Sequence, residues 1–261
     1  MYEFLKWTSW EMERPTSYGL FHILATIILL AITILGVYLL RKTNDKQNRI
    51  VLGVTGGVLL LFEVYKILFH VYLDPYGWGG FWGVFPFQLC SLPMYLCVVC
   101  ALIRSDKVNS WLYECMFAIN IVGGIMGFIE PSGINHDYWT LTLHAYIWHM
   151  SLVFIALYLY KTKRACMNAK YYYKAVVVYL SSCVVAQMFN IAFKSKEINC
   201  YYISPYVQSP LAVFKDIWAN FGWFANMLLL PIAILLASAL IYYLGYYLRK
   251  INSKKQIENK D

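Results

Sequence analysis

Long apolar runs separated by short polar loops make up most of this chain. Seven of these runs reach the roughly 18 residues needed to cross a bilayer: 20–40, 50–72, 84–102, 111–128, 141–160, 171–193 and 221–248. Lipid offers no partner to an open backbone group, so a helix is the default for each. No run shows the alternation of about ten residues expected of a barrel strand. The pattern predicts an all-α fold: a polytopic bundle of seven transmembrane helices.

The loops orient the bundle. Basic residues follow the first, third, fifth and seventh runs, among them Arg41, Lys42, Arg104, Lys107, Lys163, Arg164, Arg249 and Lys250. Sixteen lie on that side against five on the other, where Lys6, Arg14, Lys194, Lys196 and Lys215 are diluted by acids. Cytoplasmic loops carry the excess of Lys and Arg, so the N-terminus is expected outside and the C-terminus inside. The organisation expected is an extracytoplasmic segment over 1–19, a membrane domain over 20–248 and a basic cytoplasmic tail over 249–261, disordered from 252.

Composition narrows the class. The 261 residues are 60% hydrophobic and 14% charged, against about 25% charged in globular proteins. That excludes a soluble enzyme, and it excludes nucleic acid as a partner despite the net charge of +8. Membrane lipids are the expected surroundings, in a bacterial cytoplasmic membrane. Residues 1–19 are acidic and lack an apolar core, unlike a cleavable leader. Trp7 and Trp10 fit a segment lying in the interface, and a frayed polar tail is the alternative.

Seven cysteines show no metal-ligand spacing, and neither metal nor cofactor is expected. Cys97 and Cys100 read as small packing residues in an apolar helix. Gly53 with Gly57, and Gly123 with Gly127, have the spacing that lets helices approach closely, so the second and fourth spans should pack tightly. A homo-oligomer is compatible with such faces. Pro93 and Pro231 are expected to kink the third and seventh spans.

Polar side chains inside the spans carry the functional signal, because burying them in hydrocarbon is costly. Glu63, Lys66 and His70 fall on one face of the second span, with Glu63 and Lys66 able to form an ion pair. Gln88, Cys90 and Ser91 open the third span, and His144 and His149 lie near the start of the fifth. Gln187 and Asn190 fall in the outer half of the sixth, Asn226 begins the seventh, and Asn120 sits near the middle of the fourth. A rise of about 1.5 Å per residue puts nearly all of these in the outer half of the bundle. They predict an outward-facing polar pocket that binds substrate through Glu63, Lys66, His70, Gln88, His144, Gln187, Asn190 and Asn226. A buried network that merely locks the bundle is the structural alternative. His144 and His149 are about 140° apart around their helix, so one is expected at the pocket centre while the other bonds a neighbour.

The segment Phe85-Pro86-Phe87-Gln88-Leu89-Cys90-Ser91-Leu92 resembles the motif Pro-(Leu/Phe)-His-Leu-Cys-(Ser/Asp)-Leu of the YwaF-like family of bacterial integral membrane proteins. His149 with Ala156-Leu157-Tyr158-Leu159 is similar to that family's histidine helix. Asn199-Cys200-Tyr201-Tyr202 resembles its Asn-Tyr-Met-Tyr-Leu segment, and Trp218 to Trp223 its tryptophan-rich entry to the last helix. Glu63 matches a family glutamate, and the likeness spans residues 50–245. The family is distantly related to the transmembrane protein 164 acyltransferases, which place fatty acyl groups on phospholipids with a Cys–His pair. Two positions depart from these patterns: Gln88 stands where the motif has histidine, and Phe87 follows the proline where the acyltransferases have their cysteine.

The resemblance implies a membrane-bound acyltransferase with Cys90 as nucleophile and His149 as base. A transporter or binding protein for a small polar solute, coupled to protons, is the main competing reading. A non-catalytic membrane subunit is the third.

Overall fold

A computed structural model describes residues 1–258. In chain order the helices are α1 (Tyr2–Thr8), α2 (Leu20–Leu39), α3 (Asp45–Leu73), α4 (Trp78–Gly83), α5 (Leu92–Leu102), α6 (Asp106–Ile129), α7 (Trp139–Lys161), α8 (Tyr172–Ala192) and α9 (Ala212–Glu258). Among the described residues no strand forms, and one isolated bridge joins Glu11 to Tyr138.

Six of these helices, α2, α3 and α6 to α9, are long and apolar enough to cross a membrane. The third predicted span is the exception. Its helical part covers Leu89–Leu102, about 21 Å long at 1.5 Å per residue, short of a hydrocarbon core of about 30 Å. Residues 84–88 are not helical, which corrects the expectation of a helix over 84–102. Pro93 sits in the first turn of α5, where its missing N–H breaks no helical hydrogen bond. It starts the helix instead of kinking it.

Pro231 lies within α9, but the break in that helix falls earlier, at Gly222, whose φ of 81° suits a residue without a side chain. The break coincides with the predicted start of the seventh span. Downstream, α9 continues as helix to Glu258, which corrects the expectation of disorder over 252–258. Residues 259–261 lie outside the described residues.

Helices α6 and α7 form the centre of the bundle, while α2 and α9 are mostly exposed along their apolar lengths. Small residues set the closest approaches. A Cβ on Gly56 would lie 3.0 Å from Cys97 and Val98 of α5, and one on Gly124 would lie 2.9 Å from the His149 carbonyl of α7. Gly53 and Gly56 face α5, and Gly124 and Gly127 face α7, each pair three residues apart, whereas Gly57 and Gly123 of the expected pairs meet nothing within 4 Å. Helices α3, α6 and α8 finish at one end of the bundle, called the upper end, where α7 and α9 begin.

The N-terminal segment is tied onto that upper end. Leu5 is buried, Thr8 Oγ1 bonds Tyr65 Oη at 2.8 Å, and Thr140 Oγ1 donates to the Thr8 carbonyl. The Trp139 and Met12 amides bond the carbonyls of Trp10 and Asp137. Arg14 reaches the Ser132 carbonyl. Residues 1–19 are an ordered strap across the loop between α6 and α7.

Candidate active site

A cavity of about 480 Å³ opens at the upper end. Lys66 and His70 of α3, Gln88, Cys90 and Ser91 ahead of α5, and His144, Trp148 and His149 of α7 supply its chemistry. His136, Glu197, Asn199 and Tyr202 line it from the connecting loops. Of the seven cysteines only Cys90 is not buried, and only Cys90 lines this cavity.

Cys90 lies in the 3-10 turn Leu89–Ser91 that leads into α5. Its carbonyl accepts from Trp148 Nε1 at 3.0 Å, which ties the turn to α7. His149, adjacent to that tryptophan, bonds the Ala145 carbonyl through Nδ1 at 2.9 Å. A carbonyl can only accept, so the proton sits on Nδ1 and Nε2 keeps its lone pair. The ring lies against Gly127, where a Cβ would come within 2.4 Å of Cδ2. His144 is held differently, between Trp148 and Phe62 at ring centroid distances of 5.5 Å each, and its Nε2 is buried without a partner. Both histidines line the cavity while packing against different helices. The 140° between them is spanned by the width of the cavity.

Lys66 Nζ lies 2.7 Å from Glu63 Oε1. Glu63 is 3% exposed, sits behind Lys66 and does not line the cavity. His70 bonds Asp74 Oδ2 through Nδ1 at 2.6 Å. Glu63, His70, His144 and His149 form no metal-holding group among the described residues.

The amides meet the protein's own backbone. Gln88 Nε2 donates to the Asn199 carbonyl at 3.0 Å and its Oε1 accepts from the Tyr201 amide at 3.1 Å. Asn190 accepts from the Cys200 amide at 2.7 Å and donates to the Cys200 carbonyl at 3.2 Å. Two side chains thus clamp two consecutive peptide groups, 199–200 and 200–201. The same stretch holds Tyr201 and Tyr202 in left-handed backbone at φ of 57°, a conformation that costs a non-glycine residue about 1–3 kcal/mol. Asn226 bonds the Tyr202 carbonyl at 2.8 Å, and Gln187 accepts from Asn190. Gln187, Asn190 and Asn226 do not line the cavity. They shape its wall.

Several residues of the site carried no weight in the sequence. His136 lines the cavity from a loop, and burial together with His70, Arg14 and Lys66 lowers it to about 4 despite the opposing Asp137. Trp148 reads as an ordinary packing aromatic. The spacing of Asp74, four residues after His70, was the available signal for that pair. Glu114 departs from the expectation that buried polar groups lie in the outer half. It sits buried in the lower half of α6, where its Oε2 accepts from the Cys166 amide and from Tyr242 Oη. An acid inside an apolar run was visible as such.

The six long apolar helices define a multi-pass, all-helical membrane protein. A family model identifies it further. Residues 16–248 match the TMEM164 family, and the chain belongs to that family. No match is found among the curated proteins or the solved structures.

Proposed function

We propose that the protein is a lipid-modifying acyltransferase of a bacterial cytoplasmic membrane, with its cavity facing outward and Cys90 and His149 acting as nucleophile and base. In this reading α5 completes a seven-span bundle, and the basic loops hold the lower end in the cytoplasm. The likeness to the YwaF-like proteins belongs to the same proposal.

The observation that carries it is Cys90 itself, the one cavity-lining cysteine, sharing that cavity with a histidine whose Nε2 is free to accept a proton. The other six cysteines are buried and do not line this cavity. His149 Nε2 would take the Cys90 proton, sulfur would attack an acyl ester, and a thioester would carry the acyl group to a second lipid.

A solute pathway has less support, because the lower half of the bundle is filled by Met116, Ile119, Ile155, Tyr158 and Tyr242. Acyl exchange between phospholipids, followed on purified protein in vesicles, should fall to background in Cys90→Ala. Unchanged exchange in a folded variant would remove this mechanism.

A further inference from the structure

We infer that Lys66 is a catalytic residue, its ammonium group holding the acyl carbonyl oxygen as that oxygen becomes negative. The inference rests on the acyl-transfer reading and adds to it the group that stabilises the transition state. Such stabilisation is often the largest single contribution to acyl transfer.

The direction of the side chain is the first argument. A lysine in a membrane helix ordinarily extends toward the interface. Glu63 lies three residues earlier on α3, on the side away from the upper end, and its Oε1 is 2.7 Å from Nζ. The pair therefore turns the ammonium inward. Glu63 is 3% exposed and its Oε2 is buried with no partner. Lys66, with 23% of its side chain exposed, presents the charge to the cavity. Glu63 is the positioning residue.

An inventory of donors gives the second argument. Three of the cavity's amide and indole donors are engaged. Gln88 Nε2 bonds the Asn199 carbonyl, Trp148 Nε1 the Cys90 carbonyl, and Asn199 Nδ2 the carbonyls of Val207 and Gln208. An ammonium carries three N–H groups, and Glu63 is the sole hydrogen-bonding or ionic partner of Lys66 among the described residues. At least two donors remain for a ligand. The cavity that Lys66 lines is also lined by Cys90, His136, His144 and His149.

The step balances as follows. Cys90 sulfur bonds the ester carbonyl carbon as its proton passes to His149 Nε2, and the carbonyl π pair moves onto oxygen. Lys66 donates a hydrogen bond to that oxygen and keeps its own proton. Collapse restores the carbonyl and breaks the bond to the departing lipid alcohol, which takes the proton from His149.

The test measures thioester formation on Cys90 from a labelled phospholipid in the purified protein. Replacing the pair together, Glu63→Leu with Lys66→Met, strands no buried charge, so the fold should persist. Acylation is expected to slow about 100- to 1000-fold, the scale seen on removing an oxyanion donor, with little change in KM. Should that pair fail to fold, Glu63→Gln with Lys66→Gln keeps a hydrogen bond and should show at least a tenfold loss. Acylation within a few-fold of wild type in either folded pair would overturn the role of Lys66 alone. Absence of any thioester in the wild-type protein would overturn the acyl-transfer reading beneath it.

Discussion

At the scale of single residues, the position of His149 depends on a missing side chain. A Cβ on Gly127 would overlap the imidazole, at 2.4 Å from Cδ2 and 2.7 Å from Cγ. Gly127→Ala should therefore push the ring away from its resting place. Because the ring is displaced at its base and gives up its bond to the Ala145 carbonyl, the thermal midpoint should fall and acyl exchange should drop at least tenfold. Measuring both on one sample separates the effects. His136 makes a pH prediction. Folding holds it neutral down to about 4, below its ordinary value of 6.5, so the unfolded chain takes up this proton first as pH falls. Its contribution to stability is complete above pH 6.5 and is lost as pH drops toward 4. Melting curves across that window should flatten in His136→Gln relative to wild type. These roles were only partly legible in the sequence. Cys90 and His149 stood out as reactive types at compatible depths, but nothing in the spacing says that the amide of Gln88 would turn to backbone. That choice depends on a loop more than 100 residues away in sequence.

Among elements, the least regular one sets the cavity wall. The segment Asn199–Tyr202 follows α8 with two tyrosines in left-handed backbone, and Gln88 and Asn190 bracket it from opposite sides. Asn190→Ala would leave the Cys200 amide unpaired in a buried site, at about 1–3 kcal/mol, while the carbonyl keeps the Ile203 amide at 3.4 Å. Thermal unfolding should show that loss, and proteolysis between residues 197 and 208 should accelerate while the long helices stay protected. The long helices were readable in advance because apolar length alone defines them. The third span was misread because 84–102 is largely apolar, and hydropathy is blind to the proline-started helix that leaves 84–88 as a non-helical approach of turns. That departure is what brings Cys90 to the cavity, at the start of α5 instead of the middle of a helix.

For the molecule as a whole, one asymmetry organises the structure. The lower half is closed by packing and by the Glu114 network that joins α6, α9 and the loop after α7. The upper half is hollow, polar and strapped by the N-terminal segment. A cavity toward one end of the bundle was foreseeable from rise per residue, since Lys66, Gln88, Cys90, His144 and His149 fall at similar depth from the same end. The strap was not, because most of its bonds end on at least one backbone group, which sequence does not distinguish. This asymmetry suits chemistry performed at one membrane face on a chain arriving from the lipid. The central claim is that the acyl group passes through the Cys90 sulfur. Intact-protein mass spectrometry after a brief incubation with donor phospholipid should show one fatty acyl adduct, removable by neutral hydroxylamine and absent from Cys90→Ala. Continued acyl exchange by protein that never carries that adduct would contradict the account.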